Sequence, residues 1–137
     1  MPSDIKISVV RPDIIPEIWD IVEPILNPAF EDDFLMDSKS AFAGLIEDRF
    51  LLFIVTISGK ISGACILAIE DNKDSICHII SLGGEDFKSW KDQMNLAITE
   101  YAREMGCSYI IALGKRGWKK LWPDFEAGKI LFSKKVA

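Results

Sequence analysis

The 137 residues fit a single domain, long enough to bury a core without disulfide or metal staples. About half are apolar (49%) and about a quarter charged (27%), which excludes a disordered or low-complexity chain. The net charge of −5 is uneven: residues 114–137 carry +5, leaving −10 on residues 1–113, so most of the surface repels a polyanion.

The opening MPSDIKISVV lacks the basic-then-apolar build of a signal peptide. No apolar run approaches the ~20 residues that cross a bilayer. The expectation is a soluble protein made in a cytoplasm, without membrane contact. Cys65, Cys77 and Cys107 form no CxxC pair or Cys/His cluster, and each sits in a strand-like stretch. They read as reduced core thiols, with no metal site.

IKISVV reads as a first strand. Asp13 then suits the start of a helix in which Ile15, Ile18, Val22 and Leu26 share a face, and Pro24 and Pro28 should disrupt its far end. FEDDFLMD is an acidic loop. Ser38 can cap a second short helix whose packing face holds Phe42, Leu45 and Ile46, ending near Arg49. LLFIVTISGKISGACILAIEDN is apolar and β-rich but broken at SGK, a hairpin of two buried strands. Gly63 just past its turn predicts a bulge or a close backbone approach. SICHIISL is a third consecutive strand.

The clearest helix spans Asp86 to Gly106, where Phe87, Trp90, Met94, Ala97, Ile98, Tyr101 and Met105 recur at helical spacing. CSYIIALG is the next strand, GKRGWKKLW a short helix and GKILFSKKV a final strand. In that helix Trp118, Leu121 and Trp122 form one apolar stripe flanked by Lys115, Arg116, Lys119 and Lys120, whose stems cover the indoles while their charges stay wet. The four cations are candidates for contact with a partner or a polyanion. With the tryptophans used for packing, stacking on bases is disfavoured, so nucleic acid is the weakest candidate partner. The basic end against an acidic body instead favours homo-oligomers or docking to another chain.

The order β–α–α–β–β–β–α–β–α–β gives a single-domain, mixed α/β fold with helices on the faces of a mixed sheet. With the strand ending in RPxD, the hairpin FIVTISGKISGACIL and the helix closed by MGCSYIIAL, it resembles the GNAT N-acetyltransferase fold over nearly the whole chain. More narrowly, GGEDFKSW, YAREMGCSYI and GKRGW are similar to small GNAT-like proteins of tailed phages.

The resemblance implies acetyl-CoA, its pyrophosphate bound where a (Q/R)-x-x-G-x-(G/A) loop opens the long helix. The matching positions are Ser81, Leu82, Gly83, Gly84, Glu85, Asp86 and Phe87. Ser81, Leu82, Gly83 and Gly84 are therefore the candidate cofactor residues; the loop's cation or amide is missing, and two carboxylates stand where phosphates would sit. At an effective dielectric near 20, each like-charge contact at ~4 Å costs roughly 4 kcal/mol. The resemblance also implies a tyrosine acid in the last helix, and residues 114–125 contain none. His78, the single histidine, shares an alternating face with Ile76 and Ile80 and is the candidate catalytic base.

Three readings follow. The missing groups favour a non-catalytic structural, assembly or protein-binding component of a virion, in the host cytoplasm or the particle. An acyl-CoA-dependent N-acetyltransferase acting on an unidentified amine is the alternative. A weak nucleic-acid binder through residues 115–120 is the third.

Overall fold

The computed structural model describes residues 4–31, 37–71, 75–113, 126–127 and 131–136. The GKRGWKKLW helix, with Lys115, Arg116, Lys119 and Lys120, lies outside them.

The elements run β1 (Ile5–Val10), α1 (Ile15–Glu31), α2 (Ser38–Ile46), β2 (Phe50–Ile57), β3 (Lys60–Asp71), β4 (Ser75–Gly84), α3 (Phe87–Glu104), β5 (Tyr109–Leu113), β6 (Glu126–Ala127) and β7 (Leu131–Lys135). The seven strands form one sheet in the order β1-β2-β3-β4-β5-β7-β6. Neighbours are antiparallel except β4 and β5, which α3 connects in parallel. This is the mixed architecture expected from the sequence, with the two-residue β6 added.

Strand alternation divides the core between the two faces of the sheet. Phe53 and Val55 of β2, Cys65 and Leu67 of β3, and Cys77 and Ile79 of β4 pack with Trp90, Met94, Ile98 and Ala102 of α3. Leu52, Ala64 and Ile66 turn the other way, onto Ile15, Val22 and Leu26 of α1 and Ala41 and Leu45 of α2. All three cysteines are buried thiols on the α3 side. Burial pushes the Cys77 thiol up to about 12, which removes the reactive thiolate at neutral pH.

Some local expectations shift. The helix α1 begins at Ile15, one residue beyond the cap position that Asp13 would need, and the Asp13 carboxylate accepts from Arg11 instead, at 3.3 Å. Pro24 and Pro28 do not end the helix, which reaches Glu31. Pro24 lies on an exposed face between Val22 and Leu26, and burial of those two holds the helix where one ladder bond is lost. Asp37, rather than Ser38, caps α2 by accepting from the Ser40 N–H at 2.7 Å. Ser38 donates to Glu23 and so ties α2 to α1. Ile46 is 43% exposed because Ala41, Gly44 and Leu45 take the packing face. Likewise Met105, at the far end of α3, lies outside the core.

The hairpin between β2 and β3 turns on Ser58 and Gly59, with φ of 51° and 83°. Both are left-handed, the geometry that suits a two-residue turn between twisted strands. Val55 pairs with Gly63 but Thr56 with Ile61, so Ser62 is the extra residue of a bulge. The sequence signal at Gly63 thus has two sources, since a Cβ there would lie 2.5 Å from the Trp90 ring.

Candidate functional site

The site is built around the second half of β4. Opposite β3, Ile66 pairs with Ser81 and Leu67 with Ile79, so Ile80 is a second bulge without a partner on β3. On the other side, pairing with β5 covers only Ile76 to Ile79. From Ile80 to Gly84 the strand therefore has no partner on its β5 side among the described residues. An unpaired edge inside a sheet offers backbone donors and acceptors to an extended ligand, as strand addition does. It also lies at the carboxyl end of a parallel pair, where open sheets place their ligands.

The β4–α3 turn is held from within. The Glu85 N–H donates to the Ser62 carbonyl at 2.8 Å, and the Glu85 carbonyl accepts the Trp90 indole N–H at 2.8 Å. Trp90 is fully buried, edge-on to Phe87 at 4.7 Å between centroids. Its ring occupies the space that a side chain at Gly63 would need. Asp86, the residue before α3, has φ 54° and makes no side-chain cap bond.

The four candidate cofactor residues are strand rather than loop, and alternation separates them. Gly83 faces α1: a Cβ there would sit 2.6 Å from the Ile25 carbonyl oxygen. Gly84 is pressed on Gly63 and the Ser62 carbonyl. Leu82 packs against the α3-side core. Ser81 is 5% exposed, and its hydroxyl has no hydrogen-bond partner. His78 lies three residues before Ser81, opposite Ala68, with its side chain 21% exposed. Its Nδ1 is 3.3 Å from Glu70 Oε1. An ionised carboxylate can only accept, so the neutral ring carries its proton on Nδ1 and leaves Nε2 as the basic nitrogen.

A cleft of about 630 Å³ opens on the α1 side of this strand end. Ile21, Pro24, Ile25 and Ile61 form apolar walls, the backbone of β4 from Leu82 onward forms the floor, and Lys60, Ser62 and Glu85 stand at its edge. Lys60, Trp90 and the Ile80 bulge were not singled out as site residues by sequence. Lys60 is more than twenty positions from the turn it faces, and a bulge has no residue signature.

No family model and no curated protein sequence matches the chain. Solved structures do match over nine-tenths of it or more. An N-acyl amino acid synthase from uncultured soil microbes superposes with a TM-score of 0.74 at 10% identity, covering 98% of this chain and 92% of that one. An aminoglycoside acetyltransferase from an uncultured soil metagenomic sample gives 0.67 at 15% identity, covering 90% and 91%. A predicted acetyltransferase from Clostridium acetobutylicum, solved with acetyl-CoA, gives 0.67 at 11%, covering 91% and 92%. The chain shares the fold of these acyl- and acetyltransferases, the GNAT fold.

The comparisons correct the expectation of a non-catalytic virion component. The GNAT structures that this chain matches along its length are described as acyl- or acetyltransferases, and the narrower phage likeness draws no support from them. The electrostatic objection also weakens. Glu85 and Asp86 are both exposed, so the dielectric between them and an anion approaches that of water, where a contact at ~4 Å costs about 1 kcal/mol.

Against the GNAT cofactor the residues fit unevenly. The open β4 edge suits the amide-bearing pantetheine arm. The two glycines are small because α1 and β3 press on them, so their size is accounted for by packing. The turn itself contributes no cation.

Proposed function

We propose that this protein is an acyl-CoA-dependent N-acyltransferase acting on an amine. The observation that carries the reading is the unpartnered stretch Ile80–Gly84 of β4, beside a parallel neighbour and opened by a bulge. GNAT structures of similar extent described as acetyltransferases support it, one of them holding acetyl-CoA.

When bound, acyl-CoA supplies an acyl group activated as a thioester. The backbone of Ile80 to Gly84 holds the extended arm of that cofactor by its free edge. His78 Nε2 would take the proton of the acceptor nitrogen as the C–N bond forms, and the thiolate released from the broken C–S bond would take a proton from water and leave as the free thiol. Two strand residues, ~6.6 Å of rise, separate His78 from the bulge at Ile80, a gap that one bridging water would span. Glu70 orients the ring through Nδ1.

The test is release of the free thiol from acetyl-CoA in the presence of a panel of primary amines. The wild-type protein is expected to turn over at least one amine, and His78→Gln to lower kcat about 100-fold, the lower range for loss of a general base. Glu70→Ala should lower kcat as well, because the ring loses the partner that orients Nδ1, whereas Glu70→Gln keeps an oxygen that can accept from it and should retain more activity. Full activity in His78→Gln removes the assigned base. No turnover with any amine, together with no binding of acetyl-CoA, removes the function.

A further inference from the structure

We propose that Lys60, at the tip of the β2–β3 hairpin, is the cation that binds the phosphate groups of the cofactor. The inference rests on the acyltransferase reading and adds a contact that the β4–α3 turn does not itself contain.

Three observations place Lys60 there. It lines the same cleft as Gly83, Gly84 and Glu85, although the sequence separates it from them by more than twenty residues. It is exposed and makes no ion pair with any described residue, so its charge is available. The hairpin is also fastened to the turn: the Ser62 carbonyl accepts the Glu85 N–H at 2.8 Å, and Lys60 is two residues, ~6.6 Å, from that bond.

The bulge at Ser62 re-aims the end of β3 at this point, and Trp90 holds the opposite side of the turn through the Glu85 carbonyl. The long, flexible stem of lysine spans the remaining distance to an anion above the turn. Glu85 stands in the same cleft with the opposite sign, which gives the site a second, opposing handle. A lysine on the hairpin therefore does the work of the basic residue missing from the turn.

The experiment is calorimetric binding at low salt, with three probes: coenzyme A, pantetheine, which has no phosphate, and inorganic pyrophosphate. Lys60→Gln is expected to weaken coenzyme A about tenfold, the scale of one hydrogen bond to a charged group. Glu85→Gln should tighten it, pantetheine should bind both variants as it binds wild type, and raising salt should shrink both effects. Arg103→Gln is the control for net charge, since Arg103 lies at the far end of α3, about 24 Å away by helix rise. Because Lys60 is exposed, an unchanged melting temperature in Lys60→Gln verifies folding.

Wild-type affinity for coenzyme A in Lys60→Gln overturns the proposal and leaves the acyltransferase reading standing. Pyrophosphate binding that depends on Lys60, with no binding of coenzyme A, supports the anion site and removes the acyltransferase reading. Failure of both probes on the wild-type protein removes both.

Discussion

The two faces of β4 differ in how finished they are. Toward α3, Cys77 and Ile79 meet Trp90, Met94 and Ile98 in a dry layer with side chains almost wholly buried. Toward α1, the same strand passes His78, partly exposed, then Ser81 with an unsatisfied hydroxyl, then Gly83 against a helix backbone at the edge of an open cleft. One face provides stability and fixes where the strand lies. The other has the cleft, the partly exposed histidine and the unpaired hydroxyl, and the packed first face holds the strand beneath them.

That contrast can be broken most severely from the dry side. Trp90→Ala removes the largest fully buried side chain among the described residues and the donor to the Glu85 carbonyl. Such truncations cost about 3–5 kcal/mol, and the loss should appear in urea unfolding as a lower midpoint at an unchanged slope. A loss below about 1 kcal/mol would mean that neither the burial of Trp90 nor its bond to the Glu85 carbonyl holds the dry face together.

Gly83→Ala tests the open side. Its Cβ would meet the Ile25 carbonyl oxygen at 2.6 Å, a backbone atom that cannot swing away. The cost is about 1–3 kcal/mol from overpacking, and the displaced α1 should change ligand affinity in the cleft. Neutral behaviour would show that α1 is free to shift.

Ser81→Ala gives the smallest effect, and its sign is informative. Removing a buried hydroxyl that has no partner should leave stability unchanged or raise it by up to about 1 kcal/mol. A clear loss would mean that the hydroxyl has a partner in solution, such as an ordered water.

The dry face was legible in the sequence, and the open face largely was not. The spacing of Trp90, Met94 and Ile98 identified α3 and its buried stripe, and the apolar β-rich run broken at SGK, with SICHIISL after it, identified the strands beneath it. Gly63 pointed to a bulge or a close backbone approach; the bulge falls on its neighbour Ser62, and the group close to Gly63 is the Trp90 ring. Periodicity is silent on register, so the slip that leaves Ile80 unpaired could not be read, nor could the end of β4–β5 pairing at Ile79. Gly83 and Gly84 were recognised as special, but their neighbours, Ile25 and Ser62, are set by tertiary packing. Lys60 stood only within the SGK break, and nothing in its local pattern placed it in one cleft with Glu85. The carboxylates at Glu85 and Asp86 were visible, but their exposure was not, and exposure decides how strongly they repel an anion.

The central claim is that the free edge of β4 receives an acyl-CoA, and thermal unfolding with and without acetyl-CoA tests it most directly. At 100 times the dissociation constant a ligand adds about 2.7 kcal/mol, which for a domain of this size raises Tm by roughly 10 °C. A rise of that order is the predicted result. An unchanged Tm at millimolar acetyl-CoA would contradict it.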